Sequence, residues 1–230
     1  MGLKDKGSNL TVMVAQPEHV GYVDDINDAI EQASKERGTG IARRTFEYLA
    51  RKILDGKAVI ALDGEDFAGF CYVESWGHNR FVANSGLIVR PEYRGVGLAK
   101  RIKKQAFKLS REMFPKAKIF GLTTGLAVMK INSELGYKPV TFSELTDDAE
   151  FWKGCQSCVN YDILQRTNFS KCLCTGMIYD PNWEAVKNEK PKKTSFQVFK
   201  QWWKLKHSGR KKGENGSKVI GSKAEVEIVK

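Results

Sequence analysis

Two stretches of the sequence combine residue types and spacings that can do chemistry. In Leu87-Ile88-Val89-Arg90-Pro91-Glu92-Tyr93-Arg94-Gly95-Val96-Gly97-Leu98-Ala99 an apolar run ends, a proline-bearing turn follows, and two glycines open a new periodic segment. Glycine lets the backbone approach a ligand closely, and the first amides of a helix lack partners and face an anion favourably. The chemistry indicated is phosphate binding. The lysine of a P-loop and the full glycine pattern of a dinucleotide site are both absent. The second stretch is Cys155-Gln156-Ser157-Cys158 with Cys172-Leu173-Cys174, separated by thirteen residues. Each close pair can give two thiolates to one tetrahedral ion, so structural zinc is expected at Cys155, Cys158, Cys172 and Cys174. Reduced structural or redox-active cysteines and an iron–sulfur cluster are the alternatives. Cys71 stands apart in an apolar run and reads as a small buried side chain.

The elements that must position these residues follow from hydrophobic period. Leu10 to Val14 reads as a strand, and a helix from Val23 runs to the glycine-rich stop Arg37-Gly38-Thr39-Gly40. A second helix spans Thr45 to Leu54, with Phe46, Leu49 and Ile53 on one face. The period then changes, and Ala58–Leu62, Phe67–Trp76 and Arg80–Val89 read as adjacent strands. From Gly95 a long helix carries Leu98, Ile102, Ala106, Leu109 and Met113 on its apolar stripe, with Lys100, Arg101, Lys103, Lys104 and Lys108 off it. A short strand at 119–122, a helix at 126–135 and a strand leading from Gly136 to Val140 complete the order βααβββαβαβ. That order implies an α/β fold with a mixed central sheet flanked by helices.

The charge is unevenly spread. Of the formal +11, residues 182–230 carry +8 and residues 1–181 only +3. This separates a domain at 1–150, a cysteine-rich extension at 151–181 and a basic tail at 182–230. In the tail Phe196, Phe199, Trp202, Trp203 and Leu205 interleave with Lys200, Lys204 and Lys206. Docking of the aromatic residues on the domain or a partner chain is the plainer reading, and nucleic-acid or membrane contact the lesser one. No stretch reaches the roughly 18 apolar residues of a membrane span, and the start lacks an apolar leader core, so a soluble cytoplasmic chain is expected.

Arg94-Gly95-Val96-Gly97-Leu98-Ala99, following Val89-Arg90-Pro91, resembles the acyl-CoA signature of the GNAT superfamily of N-acyltransferases. The element order from Val12 to Tyr161 and the closing Leu135-Gly136-Tyr137 are similar as well. The resemblance implies a GNAT fold and acetyl-CoA, or another acyl-CoA, as co-substrate. The turn of Arg94, Gly95, Val96, Gly97, Leu98 and Ala99 would hold its pyrophosphate, and backbone groups of Leu87, Ile88 and Val89 its pantetheine arm. The tyrosine that often serves as acid in this family is missing, because its place holds Asn132, which would hydrogen-bond the pantetheine or its sulfur. Glu74, then Ser85 and His78, are the candidate bases.

By the same resemblance the first two helices and their connection wall the acceptor side, where Arg43 and Arg44 lie. Guanidinium groups grip carboxylates, so the expected acceptor is a small-molecule amine, an acidic amino acid such as glutamate. That would make the activity similar to the N-acetylglutamate synthases of arginine biosynthesis. If Arg43 and Arg44 only cap or solvate the second helix, a protein lysine becomes the acceptor. A reading of another class is a non-catalytic, basic nucleic-acid-binding or regulatory protein on the same scaffold. A homodimer is compatible with either.

Overall fold

The computed structural model describes residues 9–37, 43–156, 158–183, 200 and 203–204. The elements are β1 (Leu10–Val14), α1 (Val23–Arg37), α2 (Phe46–Leu54), β2 (Ala58–Asp63), β3 (Asp66–Trp76), β4 (Phe81–Val89), α3 (Leu98–Met113), β5 (Lys118–Thr123), α4 (Leu126–Glu134), β6 (Lys138–Val140), α5 (Ala149–Lys153), α6 (Tyr161–Arg166) and β7 (Thr175–Tyr179). The strands form one mixed sheet in the order β1-β2-β3-β4-β5-β7-β6, antiparallel except where β4 meets β5.

Side chains alternate across a strand, so β3 feeds two cores. Cys71 and Val73 face α3, packing with Leu98, Ile102, Ala106 and Leu109. Phe70 and Tyr72 face the other way, toward Ile26 and Ile30 of α1 and Leu49 and Ile53 of α2. Burying each large aliphatic chain of this kind contributes about 1.5–3 kcal/mol. A third cluster, built on Ala83, Phe120 and Ile178, is covered by the connection between β6 and β7.

Two irregularities shape the centre of the sheet. Phe70 pairs with Ile88 but Tyr72 pairs with Ser85, so β4 carries one extra residue, a bulge at Gly86–Leu87. Gly86 has a φ of 64°, and a Cβ there would lie 2.6 Å from the Tyr72 ring. β4 and β5 pair only from Phe81 and Lys118 to Ala83 and Phe120. Beyond that the two strands part, leaving Asn84–Val89 and Gly121–Thr123 without each other as partners.

Several expectations change. The boundary at 150/151 falls inside the fold, because the segment taken as an extension supplies β7, which inserts between β5 and β6. The chain divides instead after Val186. Of the second unit only Lys200, Trp203 and Lys204 are described, so the expectations for Phe196, Phe199, Trp202, Leu205 and Lys206 lie outside the described residues. On α2, Phe46 is exposed and Ala50 is buried in its stead. On α3, Lys103 is buried, whereas Met113 at the helix end is exposed. Among the described residues no helix is long and apolar enough to cross a membrane.

Candidate active site

The glycine turn is built as an anion cradle. Pro91–Tyr93 form a 3-10 turn, Gly95 and Gly97 take φ of 85° and 78°, and Gly97 caps α3. At both glycines the direction of a side chain is open space. The amides of Gly95, Val96, Gly97, Leu98 and Ala99 donate to no acceptor among the described residues, and the first turn of α3 holds no acidic residue. They sit at the positive end of a 16-residue helix. Arg94 departs from expectation. Its amide donates to Pro91, and its side chain folds back, with Nε donating to the Val89 carbonyl and Nη1 paired with Glu36 at 2.9 Å. Lys100 and Arg101 are also held elsewhere, by Glu134 at 2.6 Å and the Leu10 carbonyl at 2.9 Å.

From this cradle the parted edges of β4 and β5 lead inward, past Leu87 and Ile88. Asn132 of α4 lies by β5, its Nδ2 3.9 Å from where a Gly121 Cβ would be and 3.7 Å from Met177 Sδ. Asn132 is fully buried, and its Oδ1 has no hydrogen-bond partner. An orphaned amide oxygen costs about 1–3 kcal/mol, and a ligand N–H would relieve it. Nearby, Asn84 donates to Ser110 Oγ at 2.7 Å and accepts from the Tyr137 hydroxyl at 3.2 Å, with the Lys103 ammonium 5.5 Å from the Tyr137 ring centre. Burial lowers the Lys103 pKa to about 8, against a smaller opposing effect of Cys71. The turn amides thus offer donors suited to phosphates, and the orphaned Asn132 oxygen an acceptor suited to an amide-bearing arm.

The opposite sheet face holds a second polar cluster. Glu74 Oε1 accepts from the Tyr48 hydroxyl and from Lys52 Nζ at 2.9 Å. Tyr48 packs edge-on against Tyr72, whose hydroxyl accepts from Arg44 Nε at 3.3 Å. Burial first, then Tyr72 and Glu74, push the Tyr48 phenol well above its ordinary range, so it remains a donor. Ser85 lies opposite Tyr72 on β4, while His78 is exposed in the turn between β3 and β4.

The two arginines therefore separate. Arg43 is half-exposed and paired with Glu31 at 2.7 Å on α1, away from the cluster. Arg44 has its amide fixed by Asn27 Oδ1 at 3.2 Å and its side chain among the tyrosines. Tyr48, Lys52 and Tyr72 were not singled out from the sequence, though Tyr48 and Lys52 at i, i+4 and Tyr72 and Glu74 at i, i+2 are the spacings that put them on one face of α2 and of β3. Asn132 and Glu74 stand on opposite sides of the sheet, and the parting of β4 from β5 opens between them.

The family model of the GNAT acetyltransferases matches residues 25–127, which run from α1 to the start of α4. Over those residues the chain matches the GNAT acetyltransferase family. Solved structures agree on the fold. The N-acetylglutamate synthase from Neisseria gonorrhoeae, complexed with coenzyme A and N-acetyl-glutamate, is 18% identical over 76% of this chain and 36% of its own, with a TM-score of 0.54. The yncA protein from Salmonella typhimurium, with its cofactor acetyl-CoA, is 15% identical over 76% of this chain and 95% of its own, with a TM-score of 0.52. An acetyltransferase of the GNAT family from Staphylococcus aureus Mu50 is 12% identical over 75% and 99%, with a TM-score of 0.53. The chain spans only about a third of the length of the synthase it matches. No curated protein matches the sequence.

The four clustered cysteines lie away from both GNAT clusters. Cys155 and Cys158 flank the turn between α5 and α6, and Cys172 and Cys174 precede β7. All are free and partly buried, and as placed, no three His, Cys, Asp or Glu among the described residues form a group that could hold a metal ion.

Proposed function

We propose that this GNAT protein transfers an acyl group from acyl-CoA to the primary amine of a small acceptor that also bears a carboxylate, glutamate being the leading candidate. The observation that carries this is Arg44, held half-buried beside Tyr72 and Tyr48 and next to Glu74, so that a carboxylate-binding cation and a carboxylate base share one cluster. The binding of N-acetyl-glutamate by the gonococcal synthase of the same fold supports the same acceptor class.

An acyl-CoA supplies a thioester carbonyl open to attack by a neutral amine. Gly95 to Ala99 would hold its phosphates and Asn132 its amide-bearing arm. On the other face, Arg44 would orient the acceptor through its side-chain carboxylate. Both hydrogen bonds to Glu74 fall on Oε1, leaving Oε2 to take a proton from the acceptor ammonium, directly or through water. Lys52 and Tyr48 hold the carboxylate in place. Ser85, opposite Tyr72 in register, would hydrogen-bond the acceptor.

The test is turnover of acetyl-CoA with glutamate, glutamine, spermidine and a lysine peptide. Glutamate should exceed glutamine by at least about tenfold in kcat/KM, the worth of roughly 1.4 kcal/mol. Equal rates on glutamate and spermidine would reject a carboxylate-reading site.

A further inference from the structure

We propose that Cys155, Cys158, Cys172 and Cys174 together bind one thiophilic divalent cation, zinc, which fastens the connection between β6 and β7 to the sheet. The two pairs come from separate turns, yet all four thiols line a single cavity whose remaining walls include Leu122, Phe142, Trp152 and Leu164. Its volume of about 30 Å³ is close to the space one water occupies in the liquid. That is room enough for one ion. Four sulfurs around a point are a tetrahedral donor set, which selects zinc over oxygen-loving cations.

The thiols stand around this space without yet forming a metal-holding group. Neutral thiols gain nothing by converging to the roughly 2.3 Å of a sulfur–zinc bond. Binding would release four protons to solvent, form four Zn–S bonds and draw the two cysteine turns together around the ion.

The segment is held to the sheet by side-chain packing of Phe142, Leu145, Phe151, Trp152 and Leu164, not by regular helices. α5 has five residues and none buried, and α6 has six with only Leu164 buried. Helices this short are not stable by themselves. Between the two cysteine pairs Asn168 and Phe169 take φ of 48° and 59°, a left-handed conformation that costs energy and persists only where the surroundings enforce it. A four-point crosslink would enforce it. The same segment carries Phe151, stacked edge-on against Trp76 of β3, and Asp148, which accepts from the Gly77 amide at 3.0 Å. The ion would thus also set the position of the wall that stands on β3 two residues beyond Glu74.

The experiment is metal analysis of the full chain purified without chelator, read without any assay of acyl transfer, so that this proposal and the acyltransferase reading fail separately. About one zinc per chain is expected, and cobalt(II) reconstitution should give sulfur-to-cobalt charge-transfer absorption. Cys155→Ser and Cys174→Ser should each at least halve bound zinc. Stripping zinc should speed amide exchange across residues 141–174 while β2 and β3 keep their protection. Less than about half an equivalent of zinc with no cobalt band, iron in place of zinc, or disulfides found by non-reducing mass spectrometry would each overturn the proposal. The wild-type metal content and cobalt spectrum decide the matter even if a serine variant fails to fold.

Discussion

Arg44 donates from Nε to the Tyr72 hydroxyl at 3.3 Å, while its neighbour Arg43 reaches Glu31 at 2.7 Å on the outer side of α1. The division is fixed by the start of α2. Thr45 caps that helix, accepting from the Tyr48 amide at 3.2 Å, and Asn27 of α1 holds the Arg44 amide. With its backbone fixed on both sides, Arg44 has one direction for its side chain, inward over β3. Two identical, adjacent residue types thus acquire different surroundings.

The first prediction concerns that difference. Arg44→Ala should raise KM for glutamate by about 10–100-fold, the equivalent of a charge-assisted hydrogen bond of roughly 1.5–3 kcal/mol, with kcat less affected. Arg43→Ala, which breaks an exposed pair worth at most about 1 kcal/mol, should leave KM within about threefold. Steady-state kinetics of the two variants check this, and equal effects would return the two arginines to one role.

Glu74→Gln should lower kcat by roughly 10²–10⁴-fold if the carboxylate takes the ammonium proton. Tyr48→Phe removes one of the two donors on Oε1 and should cost far less. A Glu74→Gln variant that keeps kcat within about threefold of wild type would move the base elsewhere, with Ser85 through a bound water the next place to look.

How far the sequence carried is shown by α3 and β7. The stripe Leu98, Ile102, Ala106 and Leu109 follows the helical period and is buried as that period demands. Lys103 breaks no pattern locally, and its burial depends on distant residues such as Cys71 and Tyr137, the latter 34 positions further on. The five residues Thr175–Tyr179 are too short to announce a strand beside two cysteines, and their place between β5 and β6 depends on pairings with Thr123 and Val140. The glycine turn was readable as a turn because its backbone geometry is set within six residues. The Glu74 cluster was not, because Tyr48 and Lys52 lie 26 and 22 positions away and only the packing of α2 on the sheet joins them.

Gly86→Ala should both destabilise the chain and impair turnover. A Cβ there would lie 2.6 Å from Tyr72 Cε1, at a φ of 64° that L side chains rarely adopt, so strain and displacement of Tyr72 arrive together. A loss of about 1–3 kcal/mol is expected, measurable by denaturant titration. Because Tyr72 holds Arg44, KM for glutamate should rise in the same variant. At Gly95, where a Cβ meets open space, alanine should cost less stability and fall instead on acyl-CoA affinity.

The last prediction follows from the buried lysine of α3. Lys103 is 2% exposed, and burial brings its pKa from the ordinary 10.5 down to about 8, Cys71 opposing weakly. The unfolded chain therefore binds more protons than the folded one between about pH 8 and 10.5, and stability should rise with pH through that window. Below pH 8 the folded chain must carry the buried ammonium, and the full penalty applies. Lys103→Met keeps the length and apolar stem of the side chain without the charge. At pH 7 it should stabilise the acyl-CoA-free protein by about 1–3 kcal/mol, and the gain should shrink toward zero by about pH 10.5. Denaturant midpoints of both proteins at pH 7, 9 and 10.5 measure this directly. A lysine that held the fold through its charge would give the opposite result, a loss on substitution that is largest at pH 7.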